Sequence, residues 1–369
     1  MNRSKVCCVV TTVHDFAFVV DFARSSVGEN STNVDITFII IIDKKTSPSL
    51  ESNIQQARSL GLKIECPSLG SQELFLKKLG LGELVPYNSD NRRNIGFLMA
   101  YAEPCDVLIS LDDDNRPAPM APFFGAHLSA LTCAAPGTRV TTPNSWFNVC
   151  KLLEVQPDTG IFPRGFPYSK RLTSCEEVSL EEPGAVVGAN VGMWIGDPDV
   201  DAVTRLSLRP RAVSLKRPAV YLSASTWTPI NTQNTALLRE LIPAYYYLWM
   251  GDMGNGKKVD RFGDIWSGYF LQAVMKHLNY TTRVGTPVVE HIRTTHDLIQ
   301  DLSYELPGIE LTEGLADWFA SLKLSGSTPI AAYESLSHAL DEETERFSGW
   351  AWDRYAREYM HKLASNMRL

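Results

Sequence analysis

The strongest constraint on this chain is Asp35–Ile42, DITFIIII, where every residue after the aspartate is apolar or β-branched. A strand with one wet face alternates polar and apolar residues. A continuously apolar run reads instead as a central strand covered on both faces, the habit of parallel sheets with crossover helices. The flanking pattern agrees. Val6–Thr12 and Lys63–Cys66 read as strands, and Phe16–Arg24 and Ser52–Leu60 as helices. Asn91–Ala102 is a further helix, with Ile95, Leu98, Met99 and Ala102 on one face, and it leads into the buried strand Val107–Asn115, VLISLDDDN. This alternation predicts right-handed βαβ units: an α/β fold with a Rossmann-type, mainly parallel sheet flanked by helices.

VLISLDDDN ends in three consecutive carboxylates, Asp112, Asp113 and Asp114. Ligands of open α/β sheets collect outside the carboxyl ends of the strands. Three adjacent negative charges repel unless something positive sits among them, and a hard divalent cation with a substrate diphosphate meets that need. A solvated acidic loop is the plainer alternative. Asp43 closes the DITFIIII strand in the same way, so one edge of the sheet is marked as polar. The first loop lacks GxGxxG, which argues against a nicotinamide or flavin cofactor.

With 369 residues, the chain has room for one large domain or a domain with an appendage. A formal charge of −7 argues against a nucleic-acid partner, and no apolar stretch approaches the ~20 residues of a membrane span. The opening MNRSKVCCVVTT turns polar too soon for a signal peptide, and the seven cysteines form no CxxC pair. The expectation is a cytoplasmic protein with reduced thiols. From Ala118 to Asn231 the pattern loosens into loops and short strands built over the sheet, including Thr138–Thr142 and Val220–Ser225. Gln233–Leu241 and Trp266–Leu278 read as helices and Thr281–Val289 as a late strand. Leu311–Leu324, Ile330–Phe347 and Ser348–Met367 read as amphipathic helices. The division is therefore a catalytic domain over 1–295 and a helical extension over 296–369. That extension either packs on the domain or joins copies in a homo-oligomer.

Three further stretches carry chemistry: FPRGFPYSKR at Phe162–Arg171, GANVGMWIGDPDVDA at Gly188–Ala202, and Asp260–His291, which opens DRFGDIWSG and closes GTPVVEH. With LDDDN they resemble the reversibly glycosylated polypeptide family, whose plant members are UDP-arabinopyranose mutases and whose fold is a variant of the GT-A glycosyltransferase fold. The family's IDDDC is similar to LDDDN here, and its RGYPFSLR to Arg164–Arg171. GLWLNIPDYDAPTQL is similar to Gly192–Leu206, RYDDMWAGW to Arg261–Tyr269, and GLPYIWH to Gly285–His291. The five motifs keep their order and, with the first strand, span Val6 to His291. Asn115, Gly196, Asp197, Gly263 and Glu290 depart from the family pattern, which leaves the sugar and the base (UDP or GDP) open.

The resemblance implies roles. Asp114, Asp112 and His291 would hold Mn2+ or Mg2+, Asp112 would also meet the ribose of a nucleotide-diphosphate sugar, and Asp113 would bind the substrate or join Asp114 at the metal. Thr11, Val13 and Asp43 would meet the nucleobase and ribose, and Arg93 a phosphate. Arg164 would stabilise the departing diphosphate, as arginine forks suit phosphate oxygens, or else form a covalent glycosyl-arginine. Asp197, Asp199 and Asp201 would bind sugar hydroxyls, unless Asp199 only braces a DPD turn. Asp264, Asp199 and His291 are the candidates for moving protons, and Trp194 and Trp266 for an apolar wall. The function implied is a metal-dependent pyranose–furanose mutase without a redox cofactor. A GT-A transferase with a separate acceptor and a non-catalytic sugar-nucleotide scaffold stay open beside it.

Overall fold

The computed structural model describes residues 3–29, 34–82, 84–118, 122–133, 137–173, 177–181, 186–252 and 258–343. Its first part is the expected alternation. Strands β1 (Ser4–Thr12), β2 (Val34–Ile42), β3 (Lys63–Glu65) and β4 (Val107–Leu111) are joined by helices α1 (Val19–Glu29), α2 (Leu50–Ser59), α3 (Leu69–Lys78) and α4 (Arg93–Ala102). The four strands run parallel in the order β3-β2-β1-β4.

Side-chain alternation explains the helices on both sides. In β1, Cys7 and Val9 enter one core while Val6, Cys8 and Val10 enter the other. In β2, Ile39 and Ile41 join the first core, and Phe38 and Ile40 the second. Helix α4 seals the first face with Ile95, Phe97 and Leu98. Phe22 of α1, Ile54 of α2 and Phe123 and Phe124 of α5 (Phe123–Thr132) seal the second. Each such side chain, fully buried, contributes about 1.5–3 kcal/mol.

Beyond β4 the same sheet continues as a mixed one. The strands involved are β5 (Asn115–Pro117), β6 (Gly137–Thr141), β7 (Leu153–Gln156), β8 (Glu177–Glu181), β9 (Val186–Gly196), β10 (Arg211–Leu215), β11 (Ala219–Leu222) and β12 (Asn234–Leu238), with the short hairpin β13 (Gly251–Asp252) and β14 (Lys258–Val259) standing apart, then β15 (Tyr280–His291). The order past β4 is β12-β9-β15-β11-β6-β8. The α/β class, with a parallel half flanked by helices on both faces, is the one expected.

Two expectations for the middle of the chain are corrected. Gln233–Leu241 is not a helix. Asn234–Leu238 pairs antiparallel with both β4 and β9, and only Arg239–Ala244 turns helical, as a 3-10 segment. Ala and Leu favour a helix locally, but the unpaired ladder of β4 outweighs that weak preference. Nor do the middle segments merely lie over the sheet, since the eleven-residue β9 runs through its centre.

Helix α6 (Ala202–Ser207) follows β9, and α7 (Gly263–His277) precedes β15. The tail contributes α8 (Leu298–Ser321) and α9 (Pro329–Glu342). Both pack on the first core: Phe319 stacks on Trp227 at 4.9 Å, and Tyr333 and Leu336 are buried in the same cluster. Up to residue 343, then, the extension shares the core of the preceding domain. The helix expected at Ser348–Met367 lies outside the described residues. No helix among the described residues is long and apolar enough to cross a membrane.

Candidate active site

A cavity of about 450 Å3 opens at the carboxyl ends of β1, β2 and β4. Opposite, it is bounded by the Arg164 loop, the start of α7 and the end of β15. It gathers Thr11, Val13, Asp43, Arg93, Asp112, Asp113, Asp114, Arg164, Asp199, Asp264 and His291, residues spread over nearly the whole span of the motifs.

At the acidic strand end, each carboxylate has its own partner. Asp112 Oδ1 accepts from Arg93 Nη2 at 2.6 Å, and Asp113 Oδ2 from the Thr12 hydroxyl at 2.7 Å. Arg93 is turned inward, and its Nη1 donates to the Ser110 hydroxyl and to the carbonyls of Leu111 and Thr232. It braces the strand end. Lost hydration on the cavity floor pushes the Asp112 carboxyl up to about 7; Arg93 opposes this, and Asp114, Asp264 and Asp113 add to it. Asp43 accepts from the backbone N–H groups of Lys44 and Asn88 at 2.6 and 2.5 Å.

Asp114 and His291 meet across the cavity. His291 Nδ1–H donates to the Asp197 carbonyl at 2.6 Å, which leaves Nε2 facing Asp114 Oδ2 at 3.0 Å. A neutral imidazole in that tautomer presents a lone pair to a carboxylate, so a proton or a cation belongs between them. Burial opposes protonation of His291, but the hydrogen bond and charge of Asp114 hold its pKa above the ordinary value. The donor pair fits a divalent cation that takes its remaining ligands from phosphate and water. Among the described residues no group of three His, Cys, Asp or Glu side chains converges on one point, and Asp112, expected as a third ligand, is paired with Arg93. Gly196, beside His291 in the β9–β15 ladder, has φ +85°, and a Cβ there would lie 2.6 Å from the His291 carbonyl oxygen.

Arg164 lies between two buried carboxylates. Nε and Nη2 donate to Asp199 at 2.9 and 3.1 Å, and Nη1 and Nη2 to Asp264 at 3.1 and 2.7 Å. Nη1 also donates to the Arg261 carbonyl. Burial opposes the charge, yet Asp199 and Asp264 hold the guanidinium pKa well above its usual value. Asp199, which also accepts from Asn231 at 2.7 Å, is held below the usual carboxylate range: burial works against ionisation, and Arg164 overcomes it. Asp264 sits in the first turn of α7, where the helix dipole favours a negative charge.

Four expected site residues are not in this cavity. Trp266 is a core residue, fully buried, with its indole N–H donating to the Thr312 hydroxyl of α8 at 3.0 Å. Trp194 borders only a small void behind Arg164 and Asp199. Asp201 caps α6, accepting from the Thr204 N–H at 2.8 Å, and is paired with Arg171 at 2.6 Å. Asp197 reaches the site through its carbonyl alone, while the residue itself borders a neighbouring cavity. Conversely, Arg92, Tyr247, Arg261, Arg293 and His296 line the main cavity without having been singled out. Arg293 was findable: past a strand end, residues two apart share a face, and His291 was already placed there. Tyr247 was not, because its carbonyl is held by Asn91 and Asn94 from a segment remote in sequence.

Residues 69–348 match the model of the family described as reversibly glycosylated polypeptide. The chain belongs to the reversibly glycosylated polypeptide family. Its relatives within that family include the probable UDP-arabinopyranose mutase 4 of Arabidopsis thaliana, 28% identical over 77% of this chain and 70% of that one. UDP-arabinopyranose mutase 1 of Arabidopsis thaliana is 30% identical over 59% of this chain and 55% of that one. UDP-arabinopyranose mutase 1 of Oryza sativa subsp. japonica is 28% identical over 55% and 52%. The match thus spans about half the length of the latter two relatives. Among solved structures, mannosyl-3-phosphoglycerate synthase from Rubrobacter xylanophilus is similar over 88% of this chain and 77% of that one, at 10% identity and a TM-score of 0.40. That likeness is too slight to carry weight.

Proposed function

We propose that this chain is a metal-dependent nucleotide-diphosphate-sugar mutase that interconverts pyranose and furanose forms without a redox cofactor. The observation that carries the reading is the Asp114–His291 acceptor pair, in one cavity with Arg164 and its two carboxylates. The named activity of the relatives points the same way. Asp114 and His291 would hold Mn2+ or Mg2+, a carboxylate–imidazole set that suits Mn2+ somewhat better. The ion would offset charge on the diphosphate as the bond to the sugar breaks.

The chain's own residues divide the remaining work. Asp43, Thr11 and Val13, at the ends of β1 and β2, take the nucleoside end. Arg164, with every N–H held by Asp199, Asp264 and the Arg261 carbonyl, fixes those two carboxylates and supplies positive charge at the diphosphate end; firmly protonated, it is a poor nucleophile, which weighs against a glycosyl-arginine. Asp199 stays ionised and faces the positive charge that develops on the sugar. Proton transfer from the attacking ring hydroxyl falls to Asp264.

The test is to incubate the protein and Mn2+ with UDP- and GDP-sugars in the absence of acceptor and to separate the products. A new nucleotide-sugar isomer is expected. Release of free nucleotide alone, rising when an acceptor is added, would move the reading to a transferase, and binding without turnover would move it to a scaffold. Asp114→Ala should abolish the metal dependence of nucleotide binding measured by calorimetry; unchanged dependence would remove the metal assignment.

A further inference from the structure

A second cavity of about 420 Å3 adjoins the first and shares Arg293 and His296 with it. Its other charged lining residues are Arg205, Arg209 and Arg211, against one carboxylate, Asp197. Guanidinium groups gathered in this way repel one another, and in a chain of net charge −7 the gathering is no by-product of composition.

The nearby carboxylates do not answer the charge. Asp301 is shared three ways, by Arg293 at 3.0 Å, Arg261 at 3.3 Å and His296 at 3.3 Å. Glu305 is taken by Arg261 at 2.9 Å and by the backbone N–H of Ala202 at 2.7 Å. Arg205 is buried and donates Nη2 to the Pro198 carbonyl, but its Nε has no hydrogen-bond partner, and neither has Nε of Arg293. Burial, reinforced by the charge of Arg293, drives Arg205 down to about 10 although Asp199 and Asp197 pull the other way. Arg209 and Arg211 are exposed, and among the described residues no ion pair occupies either.

We propose that this cavity is a second anion site, taking the phosphate-monoester group of a small second ligand beside the main cavity. A phosphate offers several tetrahedrally disposed oxygens and up to two charges, which matches converging arginine forks better than a single carboxylate does. The volume suits a small molecule. The shared residues, Arg293 and His296, lie at the end of the main cavity that also holds Arg164, Asp264 and His291. Calling that the sugar end rests on the mutase reading; the anion site itself does not.

The experiment is a calorimetric titration of the full chain with inorganic phosphate, with and without saturating UDP. One saturable phosphate site is expected to survive UDP. In the Arg209→Gln/Arg211→Gln double variant its affinity should fall about tenfold or more, since each charge-assisted hydrogen bond is worth a factor of that order. UDP affinity and melting temperature should stay as in the parent. Equal phosphate affinity in the variant, no saturable site, or complete displacement of phosphate by UDP would overturn the proposal. Phosphate binding without any UDP binding would support it and count against the nucleotide-sugar reading alone.

Discussion

Arg164 commits every N–H of its guanidinium to the protein: two carboxylates and one carbonyl. Removing it leaves Asp199 and Asp264 buried without a counter-charge. Arg164→Ala is therefore expected to lose about 3–5 kcal/mol of stability in denaturant unfolding. Adding Asp199→Asn and Asp264→Asn should restore much of that stability and none of the turnover, which separates the structural role from the chemical one. Gly196 is the other decisive residue. At φ +85° an alanine is strained by about 1–2 kcal/mol, and its Cβ would press on the His291 carbonyl. Gly196→Ala should weaken the metal dependence of nucleotide binding by calorimetry while nucleotide binding without metal is retained.

At the scale of elements, α8 is the brace of the site. Asp301 and Glu305 hold Arg261, whose carbonyl in turn accepts from Arg164, and Thr312 accepts from the Trp266 indole of α7. Thr312→Val removes the hydroxyl that accepts from that buried indole N–H, an expected loss of about 1–3 kcal/mol. Because Trp266 is packed in the core, KM for the sugar nucleotide should not change. A rise in KM with unchanged stability would put Trp266 back against the sugar. The strand β12 makes a related point: a segment with helical preference becomes a strand because β4 and β9 each present it an open ladder.

The whole molecule's response to acid depends partly on His127, buried between α5 and the sheet. Its Nε2–H donates to Asn234 at 3.0 Å, and Nδ1 accepts from Asn190 at 2.9 Å, so the neutral ring is fully satisfied. Burial lowers its pKa to about 3, with the Asn234 bond opposing. An unfolded chain binds a proton near the ordinary value of about 6.5 that the native state refuses until about pH 3. The His127 contribution is therefore fully present above pH 6.5 and is lost as the pH falls towards 3. In His127→Gln, unfolding free energy measured across that window should fall less steeply with acid.

Much of the fold could be read directly from the residues, for a local reason. DITFIIII and VLISL have no wet face, so they had to be covered on both sides, and the alternation of strands and helices then permits few arrangements. The carboxylates at those strand ends and the ordered motifs also named a large part of the cavity's charged lining, from Asp43 and Asp112–Asp114 to Arg164, Asp199, Asp264 and His291. Other features depend on contacts between distant segments. Neither the pairing that makes β12 a strand nor the mixed continuation of the sheet past β4 leaves a trace in local periodicity. The same is true of Trp266 and Asp201: an indole in a core and a carboxylate on a helix cap look, in sequence, like ligands of a sugar. It was the tertiary structure that turned His291 toward Asp114 through the Asp197 carbonyl and set Arg164 between two acids. It also drew Arg205, Arg209, Arg211 and Arg293 around one cavity, because electrostatic neighbourhood is a property of distance in space, and these residues come together only once the sheet is assembled.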